Sequence, residues 1–252
     1  MAGRTAKTEA VVLRSLRFGE ADRVLHLYTA DRGRIGAVAK GIRRTKSRFG
    51  GRLEPLSHVE LLLHQGSGEL ATVTGVHLVA SHRRAREDPH RLGVALVGAE
   101  AVLRLFGEQE ANPRVFGALV RFLELAGELE RPAVLPPALD PLALAFQLKL
   151  LWLAGYEPHL ASCADCGAED SLVGFSARAG GVVCRSCGTG SLPLSDLTRR
   201  AIDALLRRPL AEAPDVGLTE RTAREALGLV TASYEYHGGF RLRTLTAQRP
   251  GS

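Results

Sequence analysis

The chain has 252 residues, 45% hydrophobic and 24% charged. That suits a globular protein of two or three units, and with no run of about 20 apolar residues no membrane-spanning helix is expected. The net charge of +6 is uneven: residues 1–60 hold 13 Lys and Arg against 6 Asp and Glu (+7), and the other 192 hold 20 against 21 (−1). A basic N-terminal part of this kind points to a polyanion partner.

Residues 8–77 read as β. Runs over 9–17 and 22–29 flank Phe18-Gly19-Glu20, and Arg32-Gly33 turns into a third run over 34–39. A fourth run, 57–64, alternates Val59, Leu61 and Leu63 with His58, Glu60 and His64, which puts His58 and Glu60 on an exposed face. Gly66-Ser67-Gly68 then makes a hairpin turn into 69–76. Five short antiparallel strands in about 70 residues fit a five-stranded oligonucleotide/oligosaccharide-binding (OB) barrel, with an SH3-like barrel as the alternative.

Between the third and fourth runs lies Lys40-Gly-Ile-Arg43-Arg44-Thr-Lys46-Ser-Arg48-Phe-Gly-Gly-Arg52, six positive charges in 13 residues without an acid. Its three glycines predict a mobile loop, and its charge predicts a grip on phosphates, with a merely solvated loop as the alternative. Arg34, Lys40, Arg43, Arg44, Lys46, Arg48 and Arg52 are the candidate DNA-binding residues. Only Phe18, Tyr28 and Phe49 offer aromatic rings in residues 1–80. Backbone contacts with little base preference are therefore expected.

Residues 81–90 are polar, contain a proline and read as a linker. They bring a second, weaker basic cluster of Arg83, Arg84, Arg86 and Arg91, which either extends the path or is simply solvated. Helices follow at 91–106, after Asn112-Pro113, and after Asp140-Pro141. Val115, Leu119, Phe122, Ala126 and Leu129 share one apolar face. Pro132, Pro136 and Pro137 break the chain. The stretch 142–153 is the most apolar and reads as a buried helix, with Trp152 beside Leu144, Leu148 and Leu151. Ser195 caps a helix over 196–207, and Thr219 one from Glu220 to about His237.

Cys163-Ala-Asp-Cys166, 17 residues, then Cys184-Arg-Ser-Cys187 interrupt these helices, and there is no other cysteine. The spacing is that of a four-cysteine zinc site, closed and structural, since four thiolates leave no position for water or substrate. Two disulfides would need an oxidising compartment, and the N-terminal residues show no apolar signal-peptide core. A thioredoxin-type motif would need one C-x-x-C, not two. Gly167 and Gly188 follow each knuckle, where positive φ is expected. The insert reads as a short hairpin, and His159 as a surface residue.

Enzyme readings find no constellation. There is no ATP-binding glycine loop; Gly36-Ala-Val-Ala-Lys-Gly41-Ile42 lacks the lysine after the second glycine. His58-Val-Glu60 resembles a deaminase H-x-E, but the P-C-x-x-C that should accompany it is missing.

Several local patterns coincide in order: Gly19-Glu-Ala-Asp22-Arg23, Tyr28-Thr29 with Gly33, Ala39-Lys40-Gly41 with its basic run, Leu53-Glu-Pro55, then Gly155-Tyr156, Pro158 and Cys163-Ala-Asp-Cys166-Gly167. Together they resemble the bacterial DNA repair protein RecO family along essentially the whole chain. The reading is an α+β protein: an OB-fold domain at 1–80 and an α-helical domain at 81–252, with a zinc module at 160–193. The resemblance implies a recombination mediator, not an enzyme, in the bacterial cytoplasm at the nucleoid. Such proteins bind single- and double-stranded DNA, anneal complementary strands, and with RecR load RecA onto strands coated by single-stranded-DNA-binding protein. It also implies a contact between the helical domain and that protein's acidic C-terminal tail, for which Arg199, Arg200, Arg207 and Arg208 are candidates. A zinc-containing protein–protein adaptor and a nucleic-acid-binding transcription factor are the alternatives.

Overall fold

A computed structural model of the chain describes residues 4–66, 68–129 and 135–246. The turn expected at Ser67 and the break at Pro132 lie outside these residues, as do Met1–Gly3 and everything after Thr246.

Alternating apolar residues build five strands: β1 (Arg4–Phe18), β2 (Asp22–Thr29), β3 (Gly33–Ala39), β4 (His58–Gln65) and β5 (Ala71–Ala80). They close into a barrel in the order β1-β2-β3-β5-β4. One long strand makes closure possible. The first half of β1 pairs with β4 and the second half with β2, and a bulge between Val12 and Arg14 bends it from one to the other. A short parallel pairing of β3 with β5 completes the ring, giving the OB-type barrel expected. Both β1 and β5 run further than their alternation indicates.

The barrel holds its own core of Ala10, Val12, Leu25, Leu27, Ala37, Val59, Leu61 and Leu63, joined by Phe49 and Leu53 from the segment between β3 and β4. Its outer side near Val11, Leu13, Tyr28 and Leu56 belongs instead to the larger core of the helical part. The two parts are therefore welded along one face. Gly33 is part of this joint: its φ is +64°, and a Cβ there would run into the carbonyl of Glu110. No side chain fits.

Residues 81–90 are not the polar linker their composition indicates. They contain a helical turn, α1 (Arg83–Arg86), with Ala85 fully buried, and Asp88 caps α2 (Pro89–Leu105) by accepting from Arg91 N at 2.9 Å. Asn112 and Asp140 likewise cap α3 (Pro113–Glu128) and α4 (Pro141–Leu153), each with proline at the first turn. Gly98 of α2 lies against the ring of Phe122, which stacks on Phe146 at 4.0 Å, so the three helices cross closely there. α4 is buried almost all round, as its apolar run indicates, and Trp152 is half-exposed at its end.

After α4 comes a three-stranded sheet of β6 (Leu172–Ser176), β7 (Gly181–Cys184) and β8 (Leu192–Pro193), ordered β7-β6-β8. The β6–β7 hairpin is the one the sequence indicates, and β8 is an addition to it. Helices α5 (Asp196–Arg207), α6 (Glu220–Ser233) and α7 (Arg243–Thr246) follow. Ser195 and Thr219 cap α5 and α6 as expected. α6 ends at Ser233, four residues before the expected His237, and passes into a wider turn over Tyr234–Gly238.

Candidate nucleic-acid interface and metal centre

The basic segment 40–52 is a folded lobe, not the mobile loop its glycines indicate. Gly41, at φ +69°, turns the chain off β3, and its N–H donates to Asp22 Oδ1 at 2.7 Å. Arg43 N donates to Ala21 O at 3.0 Å and Arg43 Nη1 to Glu20 O at 2.8 Å, fastening the lobe to the β1–β2 turn. Phe49, 1% exposed, plugs into the barrel core, and a 3-10 turn over Gly50–Leu53 follows it.

This folding sorts the basic residues. Arg52 donates to Phe49 O at 2.8 Å, to Val76 O at 3.4 Å and to Arg48 O, so it caps its own lobe. Arg48 donates to Val73 O at 3.4 Å and lies 4.8 Å from the centre of the Phe49 ring. Lys40, Arg43, Arg44 and Lys46 are exposed, and among the described residues none has an acidic partner. They are exposed cations of the lobe. The structure does not bring Arg34 to them. It sits at the opposite end of β3, about 20 Å away by strand rise. There it donates to Leu103 O at 2.6 Å and pairs with Glu108 at 3.3 Å, at the joint with the helices.

The second basic cluster is also divided. Arg86 donates to Pro55 O and Ser57 Oγ, both at 3.3 Å, and Arg91 grips Leu129 O at 2.6 and 3.0 Å. Arg83 and Arg84 are exposed. His58 is 6% exposed, bonded to Glu9 Oε1 at 2.6 Å and set edge-on against Phe116, which corrects the exposed face expected of it. The helical part covers the barrel there. Of the aromatic residues in the barrel, Tyr28 and Phe49 are buried and Phe18 is 54% exposed.

The four cysteines converge from the two ends of the hairpin. Their Sγ atoms all lie within 4.8 Å of one another, and Cys166 and Cys184 are 3.7 Å apart. Tetrahedral thiolates at about 2.3 Å from zinc would be about 3.8 Å apart, so the set fits an ion held by four thiolates. Cys163 and Cys184 are buried and Cys166 is exposed, which puts the centre at the edge of the module. Gly167 has the expected positive φ, +79°. Gly188 does not; it is glycine because a Cβ would sit 2.9 Å from Cys184 O. His159 is exposed and bonded to Ser162 Oγ at 2.9 Å, apart from the cluster.

Glu225 of α6 anchors the exit from this module. Its Oε2 accepts from Ser195 N at 2.9 Å, Ser195 Oγ at 2.7 Å and Thr198 Oγ1 at 2.6 Å, and its Oε1 from Arg221 at 3.1 Å. Burial alone would raise its pKa, but these donors outweigh it and pull the carboxyl down to about 2.

The family models for the Recombination protein O N terminal and C terminal match residues 1–82 and 86–246. The chain belongs to the RecO family. It is 38% identical over 213 residues to the DNA repair protein RecO of Rubrobacter xylanophilus, covering 82% of this chain and 83% of that one. Against the RecO of Anaeromyxobacter dehalogenans it is 36% identical over 244 residues (94% and 93%), and against that of Thermobifida fusca 39% over 238 (92% and 93%). RecO is thus a DNA repair family whose member here pairs a barrel bearing a basic lobe with a helical part that holds four clustered cysteines. Among its described residues no helix is long and apolar enough to cross a membrane.

Proposed function

We propose that this RecO-family protein is a recombination mediator that binds single- and double-stranded DNA and anneals complementary strands without covalent chemistry. One observation carries the reading: four exposed cations, Lys40, Arg43, Arg44 and Lys46, on a lobe fastened to an OB-type barrel and free of acidic partners among the described residues. Two strands repel through their phosphates, and a fixed cationic surface that neutralises both lowers that barrier. Because Phe49 and the Arg43–Glu20 bond hold the lobe, little ordering entropy is lost on binding.

The division of labour follows. The barrel, residues 1–80, takes the DNA, with Arg48 and Arg52 shaping the lobe and Arg34 serving the joint. The helical domain, 81–252, takes protein partners. Its module at 160–193 holds one structural zinc on Cys163, Cys166, Cys184 and Cys187. That ion would supply cross-linking and no reaction chemistry, since four thiolates complete its shell. In the bacterial cytoplasm the partners are RecR and the single-stranded-DNA-binding protein, with RecA loading as the outcome. For the acidic tail of the latter, the candidate is a cleft of about 510 Å³ where Arg199, Arg200 and Arg207 stand beside Glu157 and Asp203. Each of those arginines already holds an acid, Asp196 or Asp203, so a tail must displace them.

The test is annealing of two complementary fluorescent oligonucleotides without nucleotide, bare and then precoated with single-stranded-DNA-binding protein. Fast annealing in both states is expected. Binding without annealing, or no binding, would move the reading to an adaptor.

A further inference from the structure

The outer face of a barrel should be polar where it meets water, because alternate residues of each strand point outward. On β1, β2 and β3 the register fixes which residues these are. Leu16 lies opposite Val24, which lies opposite Val38; Phe18 lies opposite Asp22; and Arg14 lies opposite His26, itself opposite Gly36. Their inward neighbours Leu25, Leu27, Ala37 and Ala39 fill the barrel core, which confirms the outward set. Yet Leu16 is 36% and Phe18 54% exposed. Leu70, 40% exposed, folds over Gly36, where an added Cβ would strike its side chain. The face is therefore an apolar strip where a merely solvated surface would be polar.

The surroundings of the strip say what covers it. At one end stand the exposed Lys40 and Arg43, the latter held on the β1–β2 turn two residues from Phe18. Exposed Arg14 stands on the same face, one row along β1 from Leu16, while Arg17 alternates to the other face. The nearby acids are Asp22, whose Oδ1 is engaged by Gly41 N, exposed Glu20, exposed Glu69 next to Leu70 in the chain, and Glu108, which is paired with Arg34. At the other end Tyr28 is buried edge-on against Phe106, so the helical part closes the strip. An apolar band with one accessible aromatic ring and a cationic border is the pairing that single strands need: rings for unstacked bases, cations for phosphates. A duplex keeps its bases stacked inside and can use only the cations.

Resting on the reading of the barrel as the DNA-binding part, we infer that this strip is a base-contact track for single-stranded nucleic acid, with Phe18 as its stacking platform. It adds base stacking to the backbone contacts expected to dominate and gives the lobe a means of telling a single strand from a duplex.

The experiment is fluorescence anisotropy of the full chain with an oligo-dT and with a hairpin duplex of equal charge, for wild type and Phe18→Ala, with size-exclusion chromatography of both proteins. Phe18→Ala should weaken single-strand binding by about tenfold and leave duplex binding within a factor of two. Phe18→Trp in a Trp152→Phe background should restore single-strand affinity, and oligo-dT should quench its fluorescence. Equal losses on both DNAs, or no loss on either, overturn the inference while the DNA-binding reading stands. A change in oligomeric state on Phe18→Ala also overturns it, making the strip a self-association face. If wild type binds neither DNA, the reading of the barrel itself falls.

Discussion

Arg43 donates from its guanidinium to the carbonyl of Glu20, 2.8 Å away, and so fastens the basic lobe between β3 and β4 to the turn between β1 and β2. The backbone N–H of Arg43 does the same to Ala21 O. A segment that composition describes as a loose polycation is held at two points and plugged at a third by Phe49. Its geometry, as much as its charge, sets how many phosphates it can meet.

That sets the salt dependence. Six cations on single-stranded DNA would give a slope of log K against log[salt] of about −4. Arg52 is spent on three backbone carbonyls and Arg48 on Val73 O and the Phe49 ring, whereas Arg43 gives one of its five donors to Glu20 O and keeps the rest exposed. Four cations then remain, and the expected slope is about −3. Titration across a range of KCl concentrations measures it. A slope of −4 or steeper would mean that Arg48 and Arg52, or cations elsewhere, join the contact.

Phe49→Ala should be costly although the residue lies in a glycine-rich basic run. Emptying its place in the barrel core should cost about 3–5 kcal/mol. Urea unfolding reads the loss, and DNA affinity should fall with it as the lobe comes loose. A variant as stable as wild type would show that the ring does not plug the barrel.

Cys163→Ser should lose the metal and destabilise the helical domain, with DNA binding reduced only indirectly. Metal content, thermal unfolding and annealing are measured on the same sample. The structural assignment is wrong if a folded, metal-free variant loses annealing outright.

Glu225 gives a pH signature. Its folded pKa, about 2, lies below the ordinary 4.5, so its ionised form stabilises the fold above about pH 4.5. That contribution is lost as pH falls from there through about 2. Glu225→Gln should be less stable than wild type at neutral pH, and the gap should close over that window. Parallel curves from pH 5 to 2 would contradict the role given to its donors.

What the sequence makes legible is local or covalently spaced. Asn112, Asp140, Ser195 and Thr219 announce their helices because a cap is a bond to a residue two or three positions on. The four cysteines announce a cluster able to hold a metal because a chelate needs that spacing. Asp88-Pro89 carries the same helix-start signal, but it sits in a charged stretch that composition makes a linker. What stays hidden is tertiary. Alternation on β4 sends His58 outward, as it does, but cannot reveal Phe116 waiting there to bury it. Nor can it reveal that Arg34 meets Leu103 and Glu108, or that Phe49 turns inward. The apolar outer face of β1–β3 emerges only once register sets Leu16, Val24 and Val38 side by side.

The central claim is that the lobe's exposed arginines bring two strands together. Its most direct test is the annealing rate of complementary oligonucleotides with Arg43→Glu combined with Arg44→Glu, compared with wild type at equal metal content and equal thermal stability. Annealing should be abolished in the double variant. Unchanged annealing in a folded, metal-loaded double variant would contradict the claim and move the strand-pairing surface elsewhere on the molecule.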